Sequence, residues 1–323
     1  YDRDLRPGRP GWLGWLRLVY MYHADARQDH LGYVSAVDPM AFHSPSLWLG
    51  SLGAGVWERG FPAADADVSP AGGGGRETSW QPYRRVSGER GAGPFENDVT
   101  GLFGGKRWVW VGGSLGLGAF DRVDTWMSWL PKEGELPGAP VTSVAEWEGE
   151  VWVGTAAGLA VFSPEKQTWR RIETERAPWP SSSVTALAAA PGRLWVGTDK
   201  GGMALDTRGV WRPFLAGTRI YDAQAGRSRV YLGTDAGLYG LDMNGEVREH
   251  RTQANSSLAS NSVYRVLPVG RDVWALTQQG VRLVMRDAGE AEADQDPPAP
   301  ARGPDSVVLV VNDNAPESLR VAM

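Results

Sequence analysis

A short segment that opens on an aromatic residue and turns back at a glycine recurs along this sequence. Its six copies are centred on Trp48, Trp110, Trp152, Trp195, Tyr231 and Trp274. Successive copies lie 62, 42, 43, 36 and 43 residues apart. Four of these five steps are close to the length of a small antiparallel sheet and too long for a leucine-rich repeat. The repeat therefore restricts the chain to architectures built from successive small sheets.

The third copy shows how one period divides into strands. Val141 to Glu146 alternates apolar and polar residues, and three further short strands follow at 150–155, 159–162 and 168–172. Glycines, for which a positive φ costs least, are predicted in the turn before the third strand. These glycines are Gly158, Gly202, Gly237 and Gly280. The sequence predicts an all-β protein, a β-propeller of about six four-stranded blades, or seven if a degenerate copy surrounds Trp15.

The motifs WVGTAAGL, WVGTDKGG and YLGTDAGL carry a family resemblance. Each follows a strand such as VTSVAEW or VTALAAA, and together they resemble the propeller repeats in the sensor regions of two-component regulators. The resemblance covers residues 34–287 and is strongest in copies three to five. It implies a propeller fold and a ligand-sensing or protein-binding context, without a catalytic residue set.

The residues before and within the repeats predict three special segments. Residues 1–11 are rich in charge, proline and glycine and indicate an N-terminal arm ahead of a propeller at 12–287. Residues 15–22, WLRLVYMY, predict a strand that closes the ring as the outer strand of the sixth blade. Residues 61–78 contain four consecutive glycines and predict a surface loop inserted in the first blade.

The C-terminal residues depart from the repeat. Residues 288–304 are acidic and then proline-rich, which is typical of a linker. Residues 305–323 predict a strand, a polar turn and the start of a helix, hence the beginning of an α/β domain or a docking segment. This segment is similar, over fewer than twenty residues, to the start of a family of uncharacterised exported bacterial proteins.

Composition argues against several classes of function. The net charge of −5 is spread without a basic stripe, so we expect no nucleic-acid partner. The absence of cysteine removes disulfides and thiolate metal sites, and no apolar run approaches a membrane span. The chain opens on Tyr1 rather than methionine, and we expect a mature or truncated chain of a periplasmic or extracellular bacterial protein.

No motif in the sequence predicts a catalytic residue, a metal site or a cofactor. The repeated tryptophans are predicted to pack between neighbouring blades. Candidate ligand contacts are instead the polar and aromatic residues predicted to share one face of the ring. They are Trp179, Asp199, Lys200, Asp235 and Asn261. For the two aspartates, a hydrogen bond to the nearby turn backbone is the alternative, and for Trp179 it is a loop anchor.

Three functions remain open from sequence. The first is a non-catalytic recognition or scaffold propeller that binds a protein, peptide or glycan through loops on one face, as part of a longer chain or assembly. The second is a polysaccharide lyase or hydrolase with its site at the central mouth, which two facing titratable groups on the axis would favour. The third is a structural subunit of an extracellular assembly, which a large apolar patch would favour.

Overall fold

A computed structural model describes most of the repeat region. The described residues are 31–36, 46–51, 55–60, 81–83, 94–97, 99–104, 108–121, 125–131, 135–174, 179, 181, 183–269 and 271–286. For sheet residues before 84 other than Gly55 and Val56, only the backbone is described. The arm at 1–11, the closing strand at 15–22, the loop at 61–78 and everything after 286 lie outside the described residues.

The described residues form six antiparallel sheets, here lettered A to F in chain order. Sheet A contains β1 (Leu31–Ala36), β2 (Ser46–Ser51), β3 (Gly55–Gly60) and β4 (Gln81–Tyr83). Sheet B contains β5 (Val99–Gly104), β6 (Val109–Gly113), β7 (Leu117–Phe120) and β8 (Trp126–Trp129). Sheet C contains β9 (Val141–Trp147), β10 (Glu150–Thr155), β11 (Gly158–Ser163) and β12 (Thr168–Ile172).

The later sheets repeat this plan. Sheet D contains β13 (Val184–Ala190), β14 (Arg193–Thr198), β15 (Gly201–Asp206) and β16 (Trp211–Phe214). Sheet E contains β17 (Ile220–Ala225), β18 (Arg229–Thr234), β19 (Gly237–Asp242) and β20 (Val247–Arg251). Sheet F contains β21 (Arg265–Val269), β22 (Asp272–Thr277) and β23 (Gly280–Arg286). The strands run in order across every sheet, which confirms the predicted all-β fold within the described ranges.

Successive sheets meet along their first strands. β5 lies beside β1 and β9, β13 lies beside β9 and β17, and β17 lies beside β21. A series of four-stranded antiparallel sheets that contact one another through their first strands is the arrangement of propeller blades around an axis. The fold is thus consistent with a β-propeller.

Among the described residues the hydrophobic core forms five clusters, one between each two successive sheets from A to F. The cluster between sheets B and C contains Trp110, and the one between C and D contains Trp152. Trp195 and Tyr231 occupy the next two clusters and are fully buried. These four aromatic residues pack between blades as predicted, because their strands alternate between faces and each ring fills the space beside the next sheet.

The turn between the second and third strands corrects one detail of the sequence prediction. In sheet D the positive φ, 122°, belongs to Gly201 and not to Gly202. The equivalent glycines Gly158, Gly237 and Gly280 have positive φ as predicted. Gly202 lies inside β15, where a side chain would collide with the ring of Phe214.

Candidate functional site

A buried threonine holds each regular turn between the second and third strands. Thr198 Oγ1 donates a hydrogen bond to the carbonyl oxygen of Gly201 at 2.6 Å and accepts one from the Lys200 N–H at 3.2 Å. Thr155, Thr234 and Thr277 make the same pair of bonds in their own turns. The T-x-x-G part of the repeat is therefore a local hydrogen-bonding device that fixes the turn.

Sheet B replaces this threonine with a carboxylate from another segment. Gly113 stands at the threonine position, and Glu96 accepts hydrogen bonds from Ser114 Oγ at 2.6 Å and from the Leu115 N–H at 2.7 Å. Glu96 is buried, and a side chain at Gly113 would overlap its carboxylate. Glycine at this position makes room for Glu96, so the weaker match of this copy to the motif has a structural reason.

These turns share one face with the connections that join each sheet to the next, and we call it the loop face. The Gly217 N–H donates to the carbonyl oxygen of Lys200, and the Asp235 N–H donates to that of Arg219. The Val263 N–H likewise bonds to the Thr234 carbonyl oxygen. The loop face across sheets D, E and F is therefore tied together by backbone hydrogen bonds.

Threonines also link the first strands. Thr100, Thr142 and Thr185 are each skipped in the strand register, at a bulge that redirects the side chain. Each donates its hydroxyl hydrogen to a carbonyl oxygen at the start of the next first strand: Val141 at 3.2 Å, Val184 at 2.7 Å and Ile220 at 2.6 Å.

In β17 the equivalent skipped residue is Tyr221, and its neighbour in the next sheet is Tyr264. Their ring centroids are 5.1 Å apart and both side chains are partly exposed. The Arg219 guanidinium lies 5.4 Å from the Tyr221 ring centroid, and the Arg219 N–H donates to Asp235 Oδ1 at 3.1 Å. We call these four residues, Arg219, Tyr221, Asp235 and Tyr264, the tyrosine patch.

Within the tyrosine patch, the Tyr221 phenol is a neutral hydrogen-bonding group. Burial raises the pKa of Tyr221 above its usual value, and the Arg219 charge opposes this only in part. Burial and the charge of Asp235 also raise the pKa of the neighbouring Tyr239. Both phenols are consequently protonated at neutral pH, where each can donate a hydrogen bond but cannot act as a base.

Four of the predicted contact residues lie on the loop face. Asp199 is half-buried, and its Oδ1 is buried without a hydrogen-bond partner. The Lys200 side chain beside it is exposed. Asp235 binds the Arg219 backbone and Asn261 Oδ1 accepts from the Gln253 N–H at 2.8 Å, so both take part in backbone capping. Within the part of the chain that the structure describes, no hydrogen bond or ion pair joins these four side chains to one another.

Trp179 contacts the protein itself. Its ring lies 4.8 Å from the ring of Trp211, at the edge of the cluster between sheets C and D. This contact matches the alternative given for it, a loop anchor.

The structure adds residues that the sequence reasoning missed. Glu96, Tyr221, Asp222 and Tyr264 all make contacts that depend on strand placement. Two of them left a signal in the sequence: tyrosine stands in IYD and VYR where the other copies have the threonine of VTS and VTA. For Glu96 the signal was the missing threonine at Gly113.

On the opposite face, aspartates at the ends of the third strands cap the next turn. Asp206 accepts from the Val210 N–H at 3.0 Å, and this bond together with those from Arg208 lowers its pKa. Burial would raise the pKa of Asp242, but hydrogen bonds from Arg248, Glu246 and Asn244 lower it overall. Both carboxylates are structural.

The described residues show neither a metal-binding group of side chains nor a membrane-spanning helix. No group of three or more His, Asp or Glu side chains in the described ranges is arranged to hold a metal ion. The described part of the chain also contains no helix of the length and apolarity needed to cross a membrane.

The fold and the loop face define a class of protein, the propeller-like arrays of small sheets, and comparisons with known structures agree with it. The extracellular domain of BT3049 from B. thetaiotaomicron, named as a hybrid two-component system, superposes with a TM-score of 0.60 at 16% identity. That match covers 82% of this chain and 35% of BT3049's. The extracellular domain of BT4673 from the same organism gives a TM-score of 0.56 at 15% identity over 81% of this chain and 33% of its own.

PorZ of Porphyromonas gingivalis, a bacterial surface component of the type-IX secretion system, gives a TM-score of 0.59 at 15% identity. The match covers 82% of this chain and 41% of PorZ. This chain therefore spans well under half the length of these structures, and identities this low support the fold alone. No family model matches the sequence, and no curated protein matches it.

Proposed function

We propose that this chain is a non-catalytic recognition or scaffold module of an exported bacterial protein, and that it binds a protein, peptide or glycan partner through its loop face. The tyrosine patch is the observation that carries the proposal. At Tyr221 the chain lacks the threonine link of β5, β9 and β13 and presents a partly exposed aromatic pair beside an arginine.

The loop face has the rigidity that such binding needs. Threonine hydroxyls fix its turns, and backbone hydrogen bonds tie the turns to the connecting segments. A surface that is ordered before binding loses less conformational entropy when the partner arrives. Tyrosine supplies a large contact area with few rotatable bonds, and Lys200 and Asp199 add charge nearby.

The neutral phenol of Tyr221 favours recognition over catalysis in the patch. A lyase or hydrolase at this place would need a base or a pair of carboxylates facing the substrate. Tyr221 has a raised pKa, and Asp235 accepts a backbone hydrogen bond. The patch can therefore provide hydrogen bonds and aromatic contacts.

The blade number and the closure of the ring are part of the proposal. We propose six blades, with residues 15–22 as the fourth strand of sheet F, since no described strand lies outside β23. An uncovered strand edge exposes unpaired N–H and C=O groups, which proteins usually cover. The sequence contains no cysteine, so cysteines introduced one at a time at 16–20 with Val284→Cys should form a cross-link in the correct register. Failure at every register would contradict this closure.

A matched pair of lysines tests the binding proposal. Purified protein is first applied to arrays of bacterial polysaccharides and peptides, and any ligand found is titrated against variants. Lys200→Ala, Tyr221→Ala and Tyr264→Ala should each weaken binding about tenfold or more, as expected for residues in the contact area.

Lys166→Ala is the control, because Lys166 is also exposed but lies on the opposite face, in the turn between β11 and β12. It should leave the affinity unchanged. Binding that survives all three loop-face substitutions would refute the proposal, and release of shorter products from a polysaccharide ligand would replace it with the enzymatic alternative.

A further inference from the structure

A cleft of about 330 Å³ opens on the opposite face, between sheets C and D. Its aromatic lining consists of Trp147 at the end of β9, Trp152 in β10 and Trp211 in β16. Ile172 and Leu205 complete the apolar part of the lining. Neither the loop face nor the function proposed for it involves these residues.

The indole rings of Trp147 and Trp211 both pack against that of Trp152. Trp147 lies 6.0 Å from Trp152 with an interplanar angle of 66°, and Trp211 lies 6.1 Å from Trp152 with an angle of 73°. Two rings therefore stand nearly perpendicular to a third. The electron-rich face of an aromatic ring attracts cations, and several such faces around one space form a site for an ammonium or guanidinium group.

The charged lining has an unbalanced negative charge. Arg170 pairs with Glu150 at 3.3 Å, and Asp206 is already engaged by Arg208 and by backbone N–H groups. Glu148, in the turn between β9 and β10, is exposed at the rim. Glu148 is thus the carboxylate that remains for an incoming positive charge.

The chain itself shows that this lining accepts a guanidinium group. The Arg170 guanidinium carbon lies 5.8 Å from the centroid of Trp152. The Arg170 side chain is 56% exposed and forms part of the lining of the cleft. A second guanidinium, or an ammonium, could reach Glu148 and the ring of Trp211 from solvent.

Two further groups in the wall are donors without acceptors. The Nε1 atoms of Trp147 and Trp152 are buried and make no hydrogen bond, and the two residues are only 9% and 2% exposed. Buried indole N–H groups normally have a partner. Both atoms lie beneath the surface of the cleft wall.

We propose that this cleft binds a basic side chain, arginine or lysine, carried on a peptide segment of a partner. The cation lies against Trp211 and pairs with Glu148. The peptide backbone on either side of this side chain lies at the rim beside Glu148. The net charge of −5 of the whole chain favours the approach of such a partner.

The test uses capped tripeptides and fluorine NMR. Protein labelled with 5-fluorotryptophan is titrated with Ac-Gly-Arg-Gly-amide, its lysine analogue and its citrulline analogue, which keeps the shape of arginine without the charge. The Trp211 resonance, assigned by Trp211→Phe, should shift saturably with the two basic peptides. The citrulline peptide should bind about tenfold more weakly, or about 1.4 kcal/mol.

Charge variants identify the site without altering the core. Glu148→Gln should weaken the arginine peptide about tenfold, whereas Glu165→Gln, an equally exposed carboxylate outside the cleft, should have no effect. Arg170→Gln removes a like charge and frees Glu150, so it should tighten binding severalfold. A ligand held by Arg170 would instead bind more weakly to that variant.

Three results would overturn the proposal. The first is equal binding of the arginine and citrulline peptides. The second is methylguanidinium binding as tightly as the peptide, which would remove the peptide from the assignment. The third is a neutral disaccharide such as maltose shifting the Trp211 resonance while the arginine peptide does not.

Discussion

The first strands of sheets B to E and those of sheets E and F are joined in different ways. In the former, a threonine hydroxyl bonds to the next strand, as with Thr185 and the Ile220 carbonyl oxygen at 2.6 Å. In the latter, the buried carboxylate of Asp222 accepts the Val266 N–H at 2.9 Å and pairs with Arg265 at 3.4 Å. Tyr221 and Tyr264 then occupy the place that a threonine would take.

At the junction of sheets E and F, the residue that links the strands is not the residue that is exposed to a ligand. Where a threonine hydroxyl forms the link, its hydrogen bond is made within the protein, so this side chain is less able to bind a ligand. At the junction of sheets E and F the structural contact passes to Asp222, one residue along, and the tyrosine at the skipped position remains partly exposed. The departure from the repeat is therefore where we expect recognition.

The largest effect should come from Asp222→Ala. This change leaves the Val266 N–H without its acceptor and removes one ion-pair contact of Arg265, and Asp222 itself is only 4% exposed. An unsatisfied buried donor and a lost charged bond should lower the free energy of unfolding by about 2–3 kcal/mol. Chemical denaturation measures this, and a loss no larger than that of Thr185→Val would erase the difference between the two junctions.

Glu96→Ala tests the same contrast at the turns. Ser114 and Leu115 both lose their acceptor, and we expect a destabilisation of about 2 kcal/mol. Gly113→Thr should also be destabilising, because its side chain overlaps that of Glu96. In the double variant the loss of stability should be smaller than the sum of the losses in the two single variants. If the two losses are strictly additive in thermal or chemical unfolding, Gly113 and Glu96 do not act together as the replacement for the threonine of the regular turns.

Thr185→Val measures the ordinary link. The substitution keeps the shape of the side chain and removes one hydrogen bond to the Ile220 carbonyl oxygen, so we expect a loss of about 1 kcal/mol. Thr142→Val, which removes the equivalent bond to Val184, should cost a similar amount. A loss as large as that of Asp222→Ala would indicate that threonine is the main link throughout.

Acid should act on the opposite face before it acts on the threonine links. The pKa values of Asp206 and Asp242 are lowered in the folded protein, so both carboxylates stabilise it above their unfolded value of 3.8. That contribution is lost as the pH falls below 3.8 through the folded pKa values. Melting temperatures measured between pH 6 and 3 should fall less steeply for Asp242→Asn than for the unchanged protein. Parallel curves would contradict a folded-state role for this carboxylate.

Tyr264→Phe should have the smallest effect on stability. The ring contact with Tyr221 persists, and only a partly exposed hydroxyl is removed. Unfolding should be unchanged within about 0.5 kcal/mol, as for most surface substitutions. Ultraviolet titration should still show the high pKa of Tyr221, because burial is its main cause. A large loss of stability would instead make the tyrosine pair structural.

The strands and turns were predictable because their causes are local. The bounds of β10 and β12 match the sequence prediction. β9 is one residue longer than predicted at its end, and β11 is one residue longer at each end. Alternating apolar residues specify a half-buried strand, and T-x-x-G closes a turn with atoms three residues apart. The assignment of Gly202 instead of Gly201 failed because two adjacent glycines give the same local signal.

The candidate site was less predictable. Sequence spacing placed Asp199, Lys200, Asp235 and Asn261 on one face because strand order fixes which turns share an end. It gave a backbone hydrogen bond for Asp235 and a loop anchor for Trp179 as alternatives, but it named neither partner, Arg219 or Trp211. It did not predict that Asn261 caps a backbone group. Those contacts depend on how loops from different sheets meet.

The sequence by itself determined the small sheets and the glycine turns between their strands, because hydrogen bonds within a sheet and side-chain alternation are set by neighbouring residues. The tertiary structure decided which polar groups are hydrogen-bonded within the protein and which remain exposed to a partner. Asp222 meets a backbone N–H 44 residues away, and Arg170 meets a cleft whose far wall belongs to the next sheet. Contacts between sheets arise from packing, and packing joins residues that no local pattern connects.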